Sequence, residues 1–462
     1  MKKLSLLSEK ISKYLIAATL IIVPLFPKFP LIRVPGTYVA IRFEDLLLLA
    51  LALILIPKVI LNFKSVVRDR IVIAFLIFLG VGFLALLSGA FLTQTVDFRL
   101  GIFHWLRRIE YITPFFAAYI LIPRKDIVEN IHFYLKVLLI VVAVAFVYGF
   151  GQRYFHFPVI ITQNEEYSKG TALLWTPGSH ISSTFAGHYD LAAFVVMMVP
   201  MFLATLFVLR GRLTRLFLVG SSATGLWLLI NSVSRIAQIS YILAVSTALL
   251  MVGKFKGLAL VLLISIFFMV MSSGLDMRFG RAVQVIYERI TAGKSFSYLQ
   301  SNFIALADEV TLPARAGEIP VPTPTPVPIL QDVSIAIRVN VEWPRAIRAF
   351  IKNPILGTGY SSIDLATDND YLRMMGETGL LGLFAFWLIF FRIAKVFAGA
   401  FPLNKNLSGL ELGFFAGILG ALTGTILSSF FIDLFEASKF AIIFWLLLGC
   451  AVNLVKSKSY VK

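Results

Sequence analysis

Residues 353–382 read NPILGTGYSSIDLATDNDYLRMMGETGLLG. They form the densest run of turn formers, carboxylates and small residues in a chain that is otherwise mostly apolar. Pro354, Gly357 and Gly359 predict a turn, because proline presets one backbone angle and glycine accepts conformations that other residues avoid. The second half becomes helical in pattern and continues into an apolar run. The stretch therefore predicts a loop that leads into a membrane helix.

Polar residues mark the predicted start of that helix. Thr367 and Asp368 stand where a helix N-cap is expected. Asn369 and Arg373 are four residues apart, and so are Arg373 and Glu377, which places these side chains on one helical face. We expect this face near the boundary between water and lipid.

The composition of the whole chain is that of a membrane protein. Of its 462 residues, 58% are hydrophobic, and 42 phenylalanines stand against 25 acidic residues. A soluble domain of this size is not expected to be so apolar. Its one cysteine, Cys450, lies in the last apolar run and cannot form an intrachain disulfide, so it is interpreted as a packing residue.

About twelve apolar segments are long enough to cross the hydrocarbon core of a bilayer. They lie at 14–32, 44–60, 70–91, 106–122, 133–152, 189–208, 214–232, 235–252, 257–273, 377–398, 409–430 and 437–455. Lysines and arginines recur in the short loops on one side of these segments, in accord with the positive-inside rule. The net charge of +17 is therefore assigned to topology and not to nucleic-acid binding. An even number of spans places both termini in the cytoplasm.

The predicted fold class is an all-α polytopic membrane protein with about twelve transmembrane helices. Residues 1–273 would form the first nine spans, with an outer loop at 152–188. Residues 274–376 would form a large, mainly helical extracytoplasmic loop, in which the proline-rich run 320–328 favours polyproline II. Residues 377–462 would form the last three spans.

Ionisable residues at membrane depth are costly, so each suggests a function. Arg107 and Arg108 open the predicted fourth span, where either a substrate contact or an interfacial pair with Glu110 would explain them. Arg235 falls on the outer side, against the topological bias, and its guanidinium fork suits phosphate oxygens. An interfacial anchor is the alternative for Arg235.

The same stretch resembles the C-terminal signature of the O-antigen ligase and O-antigen polymerase superfamily. That signature has a Gly-x-Gly turn, a polar residue before Asn, a Tyr-Leu pair and Glu-x-Gly-x-x-Gly. Here these elements are Gly357-Thr358-Gly359, Asp368-Asn369-Asp370-Tyr371-Leu372 and Glu377-Thr378-Gly379-Leu380-Leu381-Gly382. Many members have His where this chain has Asp368. The resemblance is best over about residues 231–382.

The resemblance implies a glycosyltransferase of surface-polysaccharide assembly in the cytoplasmic membrane, with its transmembrane helices in a GT-C-like arrangement. The donor would be a polyprenyl-diphosphate-linked glycan on the outer leaflet, and the acceptor a hydroxyl of a lipid, a glycan or a protein. Arg235, in a Ser-Arg motif, and Arg338, a few residues before a tryptophan, would hold the diphosphate as the leaving group. Asp368 would position or deprotonate the acceptor. A helix cap is the alternative for Asp368, and a solvated amphipathic helix is the alternative for Arg338.

Further candidates surround these three residues. Those predicted to bind substrate are Arg107, Arg108, His188, Arg345, Asn369, Tyr371 and Glu377. For His188, a snorkelling side chain beside a helix cap is an equally good explanation. Asp433, Glu436 and Lys439 are predicted to pair with one another.

No cofactor and no metal are expected. Asp368-Asn369-Asp370 resembles the Asp-x-Asp motif of metal-dependent transferases, but such triplets are common by chance, and those motifs lie in soluble nucleotide-binding domains.

A transporter or flippase of lipid-linked glycans is the alternative from another class, since twelve spans fit a transporter equally well. The two halves of the sequence show no repeat of the kind common in transporters, and the long outer segment favours an enzyme. A structural scaffold would leave the outer arginines and Asp368 unexplained. The sequence does not separate ligase from polymerase, because both use the same donor.

Overall fold

The computed structural model describes residues 2–33, 40–159, 179–271, 337–363 and 366–459. Its helices are α1 (Lys2–Leu25), α2 (Phe43–Leu61), α3 (Phe63–Val67), α4 (Arg70–Leu87), α5 (Phe98–Phe116), α6 (Ile127–Tyr154), α7 (His188–Val208), α8 (Arg212–Asn231), α9 (Arg235–Val252), α10 (Phe255–Val270), α11 (Trp343–Lys352), α12 (Asp370–Ala398), α13 (Leu403–Asn406), α14 (Gly409–Ser428) and α15 (Ser438–Ser459). Helices α4 and α5 each end in a π-helical turn, and a further π-helical turn, Arg338–Glu342, precedes α11. The all-α prediction is confirmed.

Eight helices in the described ranges are long and apolar enough to cross a membrane, namely α4, α6, α7, α8, α9, α12, α14 and α15. The other four predicted spans overlap α1, α2, α5 and α10. Charged residues interrupt the first three of these, and α10 has only 16 residues. The multi-pass membrane class is thus supported, and the count of twelve stays a prediction.

The first predicted span, 14–32, is wrong in its second half. Helix α1 ends at Leu25, and Pro30–Arg33 forms strand β1, antiparallel to strand β2 (Ala40–Arg42). Prolines at 24, 27 and 30 explain the difference, because each lacks the amide hydrogen that helix continuation requires.

Helix α14 packs against both α7 and α9 along a glycine face. A Cβ atom on Gly417 would lie 2.3 Å from the Met201 Cα atom of α7, and one on Gly420 would lie 2.3 Å from the Ala244 carbonyl oxygen of α9. Small residues of this kind let helix backbones approach closely in membranes. Further along α14, Gly424 reaches Val196 and Ser240, so α14 runs antiparallel to both neighbours. The starts of α7 and α9 therefore lie level with the end of α14.

The two ends of the helix bundle differ in their contacts. The start of α1 and the end of α15 lie at one end, where Lys13 pairs with Glu129 at 2.7 Å and Lys458 pairs with Glu411 at 2.6 Å. Lys439, at the start of α15, lies at the other end, where its ammonium donates to the Pro24 carbonyl that closes α1. This second end also holds the turn between α14 and α15 and the loop before α12.

Most of the predicted outer segment 274–376, including the proline-rich run 320–328, lies outside the described residues. So do residues 160–178 of the predicted loop 152–188.

Candidate functional site

The Gly-x-Gly turn is docked on a break in α12. Gly379 adopts φ +65° and ψ −169°, which glycine accepts far more readily than other residues, and the helix kinks there. The kink is accompanied by main-chain bonds from the turn. The Thr358 amide donates to the Gly376 carbonyl at 2.9 Å, and the Gly359 amide donates to the Glu377 carbonyl at 2.8 Å. Main-chain hydrogen bonds thus join the Gly-x-Gly turn to the Glu-x-Gly-x-x-Gly segment of α12.

Before α12 lies a partly buried ion pair of Arg338 and Asp368. The Arg338 Nε and Nη2 atoms both donate to Asp368 Oδ2, at 2.9 and 2.7 Å. Arg338 is 8% exposed and opens the π-helical turn before α11, and such turns are frequent at functional sites. Burial raises the pKa of Asp368 and the Arg338 charge opposes that rise. The structure thus brings two of the three predicted catalytic residues into contact.

Asp433, in the turn between α14 and α15, holds the backbone on both sides of Asp368. Its carboxylate accepts the Thr367 amide at 2.8 Å and the Asn369 amide at 2.9 Å. Between them Asp368 adopts φ +47°, an uncommon conformation for a residue other than glycine. Arg373 Nη1 lies 3.2 Å from the same carboxylate. Asp433 therefore fixes the turn that presents Asp368 to Arg338.

The predicted N-cap at Thr367 or Asp368 is wrong. Asn369 is the cap of α12, and its side-chain oxygen accepts the Leu372 amide at 3.0 Å. The left-handed conformation of Asp368 accounts for the difference, because its side chain points to Arg338 instead of the helix end. Asn369, predicted to bind substrate, has this structural role.

Tyr371 and Asp370 also face protein groups. The Tyr371 hydroxyl donates to the Ile426 carbonyl at 3.0 Å, and its ring stacks on Trp387. The Asp370 carboxylate accepts the Leu434 amide at 2.8 Å. Tyr371 therefore packs α12 against α14, and the carboxylates of Asp368 and Asp370 serve different partners.

A second ionic network joins α5, α12 and the turn between α14 and α15. Arg108 binds the Glu436 carboxylate and lies 4.0 Å from Glu377, and Arg373 Nε lies 3.6 Å from each of the two glutamates. These groups border a cavity of about 40 Å³ together with Tyr360. A cavity of that size has room for water and not for a sugar ring. Arg108 and Glu377, both predicted to bind substrate, are therefore members of the same ionic network.

One sequence prediction fails around this network. Lys439 does not pair with Asp433 or Glu436, because its ammonium is buried on the Pro24 and Thr184 carbonyls at 3.1 and 2.6 Å. Arg107 points to strand β2, where it donates to the Ala40 carbonyl at 3.3 Å.

Aromatic rings continue from Arg338 along the start of α7. Arg338 Nη2 donates to the Tyr189 hydroxyl at 3.4 Å, and the guanidinium carbon lies 5.6 Å from the centre of the Tyr189 ring. The His188 ring lies 4.0 Å from that ring, and exposed His180 lies 3.7 Å from His188. The structure thus places His188 one ring away from the Arg338 contact.

Arg235 and Arg345 lie at the same end of the bundle. Arg235 starts α9 directly after the capping Ser234, level with the end of α14. Arg345 is in α11, and its Nη1 atom is buried without a hydrogen-bond partner among the described residues. Both arginines therefore lie at the end of the bundle that holds Asp368.

Sequence reasoning missed the role of Asp433 and the closeness of Glu342 to the Arg338–Asp368 pair. Asp433 is 65 positions from Asp368 in the sequence, so no local pattern links them. Glu342 follows Arg338 by four residues, a spacing that places both on one helical face and was the available signal. Among the described residues, no group of three or more His, Cys, Asp or Glu side chains could hold a metal ion.

Comparison with known proteins finds a family similarity over the part of the chain that contains this site. A search of curated proteins found no match. A protein-family model described as O-antigen ligase matches residues 220–387, from within α8 to within α12, and includes Arg235, Arg338 and Asp368. Over these residues the chain is similar to the O-antigen ligase family, which confirms the predicted resemblance to the O-antigen ligase and polymerase superfamily.

Proposed function

We propose that this protein moves a glycan from a polyprenyl-diphosphate carrier to an acceptor hydroxyl, without a metal ion, at the extracytoplasmic face of the cytoplasmic membrane. The similarity to O-antigen ligase indicates a membrane enzyme of surface-polysaccharide assembly. The observation that carries the finer proposal is the partly buried Arg338–Asp368 pair at one end of the bundle, inside the matched segment.

The chemistry of the pair suits a diphosphate leaving group. The guanidinium of Arg338 is charged at every working pH, and its planar fork matches phosphate oxygens. Negative charge grows on the bridging oxygen as the bond to the sugar breaks, so a fixed cation beside it lowers the barrier. Asp368 orients this guanidinium before substrate arrives. Arg235, at the same end, supplies a second cation toward the diphosphate.

The test is transfer by the purified protein in the presence of EDTA. The donor is a polyprenyl-diphosphate oligosaccharide, and the candidate acceptors are lipid-linked sugars, glycans and peptides. We expect release of polyprenyl diphosphate by the wild type and a loss of at least ~100-fold in Arg338→Ala and Asp368→Ala. Arg212→Ala is the matched control, because Arg212 is exposed at the start of α8, at the other end of the bundle.

Product length distinguishes a ligase from a polymerase, since only a polymerase extends the glycan by further repeats. Tight donor binding with no turnover on any acceptor would contradict transfer and favour transport. Activity that disappears with EDTA and returns with a divalent cation would contradict the metal-independent part of the proposal.

A further inference from the structure

The geometry of Asp368 suits a positioning role better than proton transfer. Its Oδ2 atom accepts two hydrogen bonds from one guanidinium, at 2.9 and 2.7 Å. Burial raises the pKa of Asp368, and the hydrogen bonds from the Arg338 cation oppose that rise. Proton uptake by Asp368 would weaken the bonds that orient Arg338, so a better general base is an oxygen of a carboxylate that is not bonded to that cation.

Glu342 offers an oxygen of this kind next to the pair. It closes the π-helical turn that Arg338 opens. Its Oε2 atom is buried and has no hydrogen-bond partner among the described residues. A buried polar atom without a partner requires an explanation, and a substrate hydroxyl would provide one.

The charged groups that face Glu342 come from three segments. Asp368 faces it from the loop before α12, and Asp433 from the turn between α14 and α15, while Arg338 and Arg345 belong to its own segment. Glu342 therefore shares the Arg338 cation with Asp368, and its Oε2 atom lacks the direct guanidinium bonds that Asp368 receives.

We propose that Glu342 is a catalytic residue that accepts the proton of the acceptor hydroxyl, and that Asp368 positions Arg338. This inference rests on the glycosyl transfer proposed above. The acceptor oxygen forms a bond to the anomeric carbon while the bond from that carbon to the diphosphate oxygen breaks. The electron pair of the broken bond stays on the diphosphate beside Arg338. The hydroxyl proton passes to the Glu342 carboxylate, which becomes neutral.

Electrostatics support this assignment. Burial and the negative charge of Asp368 raise the pKa of Glu342 to about 7. A base with a pKa near the working pH combines a useful ionised fraction with a strong tendency to take a proton. Below about pH 7 the carboxyl group is protonated and cannot act, so the transfer rate should fall on the acid side.

The experiment compares the pH dependence of kcat/KM in the wild type and in Glu342→Gln, from pH 5.5 to 9. We expect the wild-type rate to rise with pH through about 7. Glu342→Gln should lower kcat by ~100-fold or more, remove this acid limb and leave donor affinity within about threefold. Formate should restore part of the activity of Glu342→Ala, because it can occupy the vacated space as a carboxylate. Glu129→Gln is the control, since Glu129 lies at the other end of the bundle with its side chain 72% exposed.

Each outcome has a distinct meaning. If the wild type turns over and Glu342→Gln keeps both its rate and its acid limb, Glu342 is not the base and only this inference fails. The same holds if Glu342→Gln binds donor and lacks activity, but formate gives Glu342→Ala no activity. If the wild type itself transfers nothing, the proposed function fails and this inference fails with it.

Discussion

At the scale of single residues, Asp433 couples the turn around Asp368 to the last pair of helices. Its carboxylate accepts two backbone amides and lies beside Arg373. Asp433→Asn keeps the shape of the side chain and removes its charge. Because charge-assisted hydrogen bonds contribute more than neutral ones, we expect a loss of about 2 kcal/mol in the free energy of unfolding.

Activity gives the sharper test of Asp433. We expect at least ~10-fold slower transfer in Asp433→Asn, because Asp368 is no longer held at φ +47° toward Arg338. Glu411→Gln is the control, since that carboxylate pairs with Lys458 at the opposite end. Wild-type turnover in Asp433→Asn would show that Asp368 keeps its position without this carboxylate.

Glu342 should cost the folded protein stability at high pH. Its pKa in the folded state is about 7, above the value of 4.5 for a free glutamate, so the folded state holds its proton more tightly than the unfolded state. Raising the pH from about 4.5 to above 7 therefore favours unfolding. We expect Glu342→Gln to melt at the same temperature as the wild type at pH 4.5 and at a higher temperature at pH 8. Equal melting temperatures at both pH values would contradict the raised pKa.

At the scale of elements, the kink of α12 depends on the absence of a side chain at Gly379. A Cβ atom there would lie 2.2 Å from the Ile355 carbonyl oxygen, in a backbone conformation that is strained for any other residue. We expect Gly379→Ala to destabilise the protein by about 3 kcal/mol or more and to abolish transfer, as measured by thermal unfolding and by donor turnover.

Gly80→Ala provides the matched control for this prediction. Gly80 lies in helix α4, and nothing stands within 4 Å of an added Cβ atom. Alanine is the better helix former, so the stability of Gly80→Ala should equal or slightly exceed that of the wild type. If Gly379→Ala were as stable as Gly80→Ala, the kink would tolerate a side chain at position 379.

Elements also show how far sequence reasoning reached. The turn at Gly357 and Gly359 was predictable, because glycine and proline act locally. Its docking on the Gly376 and Glu377 carbonyls was not, because those acceptors become available only once α12 breaks at Gly379. The early end of α1 could have been predicted from its prolines, but the hydropathy of the segment outweighed them.

Long-range contacts limited the prediction of the site in the same way. Family resemblance pointed to Arg338 and Asp368, and the structure joins them. Two predicted substrate-binding residues, Asn369 and Tyr371, belong to the motif, but their side chains bond to other parts of the protein. Which polar side chain of a motif faces a partner and which stays available is decided by neighbours distant in sequence, such as Asp433 for the Asp368 turn.

At the scale of the whole molecule, hydropathy located the helices well, because each of the twelve predicted segments overlaps a described helix. Composition alone does not show which of them cross the membrane, since α1, α2 and α5 combine apolar runs with charged residues. The ion pairs separate the bundle into an end with the start of α1 and the end of α15, and an end with Arg338 and Asp368. The proposed function requires that these ends face opposite sides of the membrane.

Cysteine labelling on the two flanks of α6 tests that requirement. Lys125 is exposed before α6, at the end of the bundle where α1 starts. Phe155 is 66% exposed after α6, at the end that holds Arg338 and Asp368. In a Cys450→Ala background, a membrane-impermeant maleimide should label Phe155→Cys in intact cells and Lys125→Cys only after the membrane is opened. The wild type should resist labelling in both cases, because Cys450 is buried. Labelling of Lys125→Cys alone in intact cells would place Arg338 and Asp368 in the cytoplasm, where a donor on the outer leaflet could not reach them.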